Sequence, residues 1–184
     1  MCSHWAALPG WYADWTADPS SGTRPGAERG GSDLYPGAVL TIARETYDAI
    51  VAHAKRDHPV EACGIVAGPE GSDRPERFVE MVNAAGSPTF YEYDSTDLLQ
   101  LYKEMDQRDE EPVVIYHSHS ATEAYPSVTD INLASEPGAH YVLVSTREHG
   151  NNEGPVEFRS YRIVDGVVTE EEVSVVPSLT RSVS

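Results

Sequence analysis

The chain has 184 residues, enough for one domain with its own core and too few for two ordinary ones. Lys and Arg number 13 against 30 Asp and Glu, a net charge of −17, which excludes the basic footprint of a nucleic-acid binder and disfavours anionic membrane surfaces. Cys2 and Cys63 make no disulfide framework, no apolar run is long enough to span a membrane and no secretory signal opens the chain, so a reducing, cytoplasmic location is expected.

Residues 1–37 are rich in Gly, Pro, Ser and Ala and poor in aliphatic residues, so they are expected to form a disordered extension despite Trp5, Trp11, Tyr12 and Trp15. The folded domain is expected over 38–176. It opens with a short apolar strand, Val39 to Ile42. An amphipathic helix follows from Arg44 to about Asp57, with Tyr47, Ile50, Val51 and Ala54 on one face. His53 and His58, on this helix and at its end, are expected to be solvated.

Glu61 to Gly68 reads as a small-residue buried strand in which Cys63 is a structural thiol. Phe78 to Asn83 alternates as a half-buried strand, and Gly86-Ser87-Pro88 breaks it. Ser95 is the expected N-cap of a helix burying Leu98, Leu101, Tyr102 and Met105. Pro112 to Tyr116 is a central strand, Ser127 to Ala134 a short helix, and Tyr141 to Ser145 another buried strand. His140, just before that strand, is expected to be structural. Val156–Val164 and Val167–Val176 flank Asp165-Gly166, a strong hairpin signal. Residues 177–184 are expected to fray. Helices and strands interleave, which predicts α/β layering on a mixed sheet.

The chemistry lies in His117-Ser118-His119, then seven residues, then Ser127-Val128-Thr129-Asp130. Residues i and i+2 of a strand share a face, so both imidazoles can turn to one point at the strand's C-terminal end. A loop through Pro126 leads into a helix that can bring Asp130 to the same point. Two His and one carboxylate, with a fourth position open, is a catalytic zinc arrangement. Ser127 followed three residues later by an acid is also a plain capping pattern, and a capped helix can still supply a ligand. Such a metal needs a proton carrier beside it. Glu61, at the start of its buried strand, is the best-placed candidate.

An upstream Glu, His-Ser-His, and Ser-x-x-Asp resemble the JAMM (MPN+) metallopeptidase motif. Val51 to Gly64, Ser87 to Tyr91, Pro112 to Pro126 and Tyr161 to Gly166 are similar to the bacterial CysO-cysteine peptidase subfamily within it. The resemblance runs from about Val39 to Val176. It implies a single α/β MPN domain, a mixed curved sheet with flanking helices and cytidine-deaminase-like layering. It implies one zinc held by His117, His119 and Asp130, Glu61 as general acid/base, and Ser127 as oxyanion donor. The implied partner is a small ubiquitin-like sulfur carrier whose C-terminal Gly-Gly bears a cysteine, and hydrolysis of that amide releases cysteine. Thr89, Phe90 and Tyr91 are expected to wall the channel for this tail. A homodimer is compatible with the sequence.

Two further readings share parts of this pattern. Non-haem iron oxygenases use two His and a carboxylate, but with other spacing and no use for Glu61 and Ser127. A metal-free MPN scaffold would lack ligands, and none is missing here. Zinc deaminases carry Pro-Cys-x-x-Cys, which is absent. Within the family, a different Gly-Gly-ended carrier is the alternative substrate.

Overall fold

The structure, a computed structural model, describes residues 39–147 and 156–179. The expected extension over 1–37, residues 180–184 of the expected tail, and His4 and His149 lie outside the described residues. Elements run β1 (Val39–Ala43), α1 (Arg44–Asp57), β2 (Cys63–Pro69), β3 (Arg77–Met81), α2 (Ser95–Asp106), β4 (Glu110–His119), α3 (Val128–Leu133), β5 (His140–Ser145), β6 (Glu157–Val164) and β7 (Val167–Val176).

The strands form one seven-stranded mixed sheet in the order β1-β7-β6-β5-β4-β2-β3. The pairs β1/β7 and β4/β5 are parallel and the others antiparallel. The β6–β7 turn carries Asp165 and Gly166 at φ 50° and 77°, the left-handed pair that a two-residue hairpin requires.

Period-2 alternation divides the apolar residues between two cores. On one face Cys63, Ile65, Ile115, Tyr141 and Leu143 meet Leu101 and Met105 of α2. On the other, Val66, Val114, Tyr116, Val142 and Val144 meet Ile50 and Ala54 of α1. Both faces of β4, β2 and β5 are therefore covered, which is why these strands read as continuous apolar runs. Ile131 of α3 packs on the α2 side. None of the described helices is long and apolar enough to cross a membrane.

Local details depart from the sequence reading at the caps and histidines. The N-cap of α2 is Asp94, whose carboxylate accepts from Thr96 N–H at 2.9 Å and Asp97 N–H at 3.1 Å, so Ser95 is the first helical residue. Tyr102 on this helix is exposed. His53 is buried rather than solvated. It falls on the Ile50 stripe of α1, and its ring nitrogens meet Tyr116 Oη at 2.7 Å and Asp57 Oδ2 at 3.0 Å, which removes the cost of an unpartnered polar group. His58 is half-buried against Thr146 Oγ1 at 3.0 Å. His140 is structural, as expected, and is clamped between Glu171 at 2.7 Å and Asp73 at 2.8 Å.

Gly64 shows how tightly the sheet centre is packed. A Cβ there would meet the Tyr116 hydroxyl and lie 2.5 Å from the Val79 carbonyl oxygen, part of the backbone of β3. Gly64→Ala is expected to cost about 2 kcal/mol, as overpacking of a well-filled interior does. Urea denaturation of parent and variant checks this.

Candidate metal centre and active site

His117 and His119 occupy the C-terminal end of β4, paired with Leu143 and Ser145 of β5. The strand runs longer than its apolar stretch, so both histidines lie within the ladder rather than beyond it. They share the parity of Ile115 and face the α2 side, where Ile131 seats α3. Asp130 therefore reaches the histidines from a helix on the same side of the sheet.

The donor atoms converge. His117 Nε2 and His119 Nε2 are 3.2 Å apart, and Asp130 places Oδ1 3.4 Å from the first and Oδ2 3.5 Å from the second. Ligand atoms about 2.0–2.1 Å from a tetrahedral zinc stand about 3.4 Å from one another, so these spacings match the edges of such a site. Among the described residues this is the only group of three or more His, Cys, Asp or Glu close enough to hold an ion.

Surrounding groups orient the donors. His119 Nδ1 lies 2.9 Å from the Glu123 carbonyl and 3.1 Å from Thr122 Oγ1. A carbonyl only accepts, so Nδ1 carries the proton and Nε2 turns its lone pair to the centre. Tyr91 stacks on His117 with ring centroids 4.6 Å apart. Burial holds the His117 pKa below the ordinary imidazole value, which favours the neutral, ligating form. Burial would raise the Asp130 pKa, but the close approach of His117 and His119 outweighs it and keeps the carboxylate ionised.

Ser127 and Asp130 form a reciprocal capping box on α3. Asp130 N–H donates to Ser127 Oγ at 3.2 Å and Ser127 N–H to Asp130 Oδ2 at 2.7 Å. The capping box thus leaves the Asp130 carboxylate beside the two histidines. Because Ser127 Oγ accepts that bond, its own hydroxyl hydrogen is left to donate elsewhere.

Glu61, two residues before β2, lines the same cavity as His119, Ser127 and Asp130. It is 5% exposed, and burial pushes its carboxyl up to about 7, with His119 lowering and Asp130 raising the value. A buried carboxyl that titrates near neutrality suits proton transfer. The cavity holds about 160 Å³, small beside ordinary ligand pockets of roughly 300–1,000 Å³. Thr89 and Phe90 also line it. Tyr91 is not among its lining residues; its ring stacks on His117 instead.

The sequence reading missed several supports. Ser118, the centre of His-Ser-His, faces the α1 side. Its Oγ accepts from Ala62 N–H at 2.8 Å and its N–H donates to the Ala62 carbonyl at 2.9 Å, tying Glu61's neighbour to the histidine strand. The signal was present, since a polar residue on a buried strand must find partners. Thr122 and Asn83 carried no comparable signal. Cys63 is buried, and burial pushes its thiol up to about 12, which agrees with a structural role.

Residues 43–164 match the family model described as prokaryotic homologs of the JAB domain, and the chain belongs to that family. It is similar to the CysO-cysteine peptidases of Mycobacterium tuberculosis and Mycobacterium bovis, with 63% identity over 138 residues, 75% of this chain and 92% of theirs. Its place in the JAB/MPN family is therefore beside those enzymes. The desampylase of Haloferax volcanii is 31% identical over 111 residues, 58% of this chain and 80% of its own. Among solved structures, protein DSY2949 from Desulfitobacterium hafniense superposes with a TM-score of 0.64 at 29% identity, covering 77% of this chain and 95% of that one.

Proposed function

We propose that the chain is a zinc-dependent peptidase that hydrolyses the amide between the C-terminal Gly-Gly of a small ubiquitin-like sulfur carrier and an attached cysteine. The observation that carries this reading is the convergence of His117, His119 and Asp130 beside the buried Glu61. The 63% identity to CysO-cysteine peptidases, over nearly their whole length, supports the cysteine conjugate over the substrate of a desampylase, where the identity is 31%.

His117 and His119 would hold zinc through Nε2 and Asp130 through its carboxylate, leaving one position open. A zinc ion so held supplies Lewis acidity and makes a water nucleophilic near neutral pH. Glu61 takes the proton of the attacking water and later delivers it to the departing amine of cysteine. Ser127 donates its free hydroxyl hydrogen to the oxygen of the scissile carbonyl as charge develops there. Thr89 and Phe90 wall the small cavity, whose size favours an extended Gly-Gly over branched residues.

The test is direct. Incubated with a carrier ending in Gly-Gly-Cys, the protein should release free cysteine and leave the carrier ending in Gly-Gly, as read by mass spectrometry. A chelator should stop release and added zinc restore it. No release in the presence of zinc sinks the substrate assignment.

Ser127→Ala separates two roles of one side chain. Loss of the carbonyl-oxygen donor should lower kcat by about 10²-fold. Loss of the cap should cost about 1 kcal/mol of stability. Steady-state kinetics and thermal melts read the two effects separately.

A further inference from the structure

We infer that Asn83 is a positioning residue that holds the general acid/base Glu61 and the Phe90 wall of the substrate channel in fixed relation through one side-chain amide. The inference rests on the reading of Glu61 given above. Asn83 follows β3 and opens a loop that closes at Tyr93, with which it forms an isolated antiparallel bridge. Its Nδ2 donates to the Glu61 carbonyl at 3.0 Å and to the Phe90 carbonyl at 3.0 Å, with the Ser87 carbonyl at 3.4 Å. Its Oδ1 accepts from Ala85 N–H at 3.0 Å and Glu92 N–H at 3.2 Å.

These partners fix the amide's orientation, because backbone N–H groups only donate and carbonyls only accept. Both donors and both lone pairs of the side chain are engaged. Asp lacks the donors, Ser and Thr have a single donor, and Gln is one methylene too long, so this set of bonds is specific to Asn.

Glu61 is thus held from two sides. Ser118 on β4 fixes the adjoining Ala62 to the histidine strand, and Asn83 fixes Glu61 itself to the loop that carries Thr89 and Phe90. The Glu61 N–H also donates to the Ser87 carbonyl at 3.0 Å, within that loop. Ser120 Oγ donates to the Pro88 carbonyl at 2.7 Å and pins the loop's far side to the residue following His119. Displacing a positioned group by about 1 Å can cost about 10²-fold in rate, so a joint between acid/base and channel wall bears on turnover as well as binding.

Asn83→Asp keeps the acceptors for Ala85 and Glu92 and removes the donors to Glu61 and Phe90. In the zinc-loaded full chain acting on a carrier ending in Gly-Gly-Cys, it should lower kcat about tenfold or more and raise KM, with bound zinc unchanged. A residue that merely braces the loop would move KM alone. Asn83→Ser, smaller and with a single donor, gives the same split if the aspartate disturbs folding. The decisive measurement is a cycle with Glu61→Gln. In that background the Asn83 change should alter the residual kcat by less than about twofold, since the group it positions has lost its function. An equal fold-loss in both backgrounds, or a kcat near the parent's in the single variants, overturns the inference and leaves Glu61's role intact. Parent-like activity of Glu61→Gln overturns that role and this inference with it.

Discussion

Glu61→Gln is expected to lower kcat by about 10²–10⁴-fold while the protein still binds zinc, because the amide cannot carry a proton between water and leaving group. The substitution keeps the shape of a side chain that is 5% exposed, and the backbone bonds from Asn83 and to Ser87 do not depend on the carboxylate. Glu61 is not one of the three converging donors, so the metal should remain. Kinetics on the cysteine-bearing carrier, with metal analysis of the same sample, reads both halves. Loss of zinc together with activity would recast Glu61 as a ligand or a structural group.

His140→Gln is expected to destabilise the fold by about 3 kcal/mol, the lower end of the loss from breaking a buried charge pair. His140 and Glu171 are fully buried partners 2.7 Å apart. Arg162 Nε at 2.7 Å and Ser160 Oγ at 2.9 Å stay on Glu171 in the variant, which keeps the loss at that lower end. Burial opposes charge on His140, but its bonds to Asp73 and Glu171 outweigh that and raise its pKa above the ordinary 6.5. A raised imidazole pKa stabilises the fold below the ordinary value, and the contribution is lost as pH rises through the folded one. Glu171 is held below its ordinary 4.5, since the bonds to His140 outweigh its own burial, and that contribution is lost as pH falls through the folded value. The gap between parent and variant should therefore be widest between about pH 4.5 and 6.5 and should narrow on either side. Denaturant melts across pH 4 to 9 check the magnitude and the window.

Much of the site was legible because its signals are local. Two histidines at period 2 after an apolar run, and an acid one turn into a helix capped by Ser127, each follow from short-range geometry. The Asp165-Gly166 hairpin was legible for the same reason. The sheet order was not, since β1 pairs in parallel with the last strand, β7, at one edge and β3 forms the other. No short window of sequence encodes such partnerships. His53 was misread because a histidine on a helix is usually solvated, and its partner Tyr116 lies 63 residues away. Tyr91, expected beside Thr89 and Phe90, stacks on His117, a contact between segments far apart in sequence that no short window shows. Asn83 stayed hidden because its carbonyl partners, Glu61 and Phe90, belong to segments on either side of it in sequence.

Diffraction from zinc-loaded crystals, recorded on both sides of the zinc absorption edge, tests the ligand set most directly. The expected result is one anomalous peak about 2.0–2.2 Å from His117 Nε2, His119 Nε2 and an Asp130 carboxylate oxygen, with Glu61 unligated beside it. A peak held by other residues, or active protein with no metal between these three side chains, would contradict the assignment.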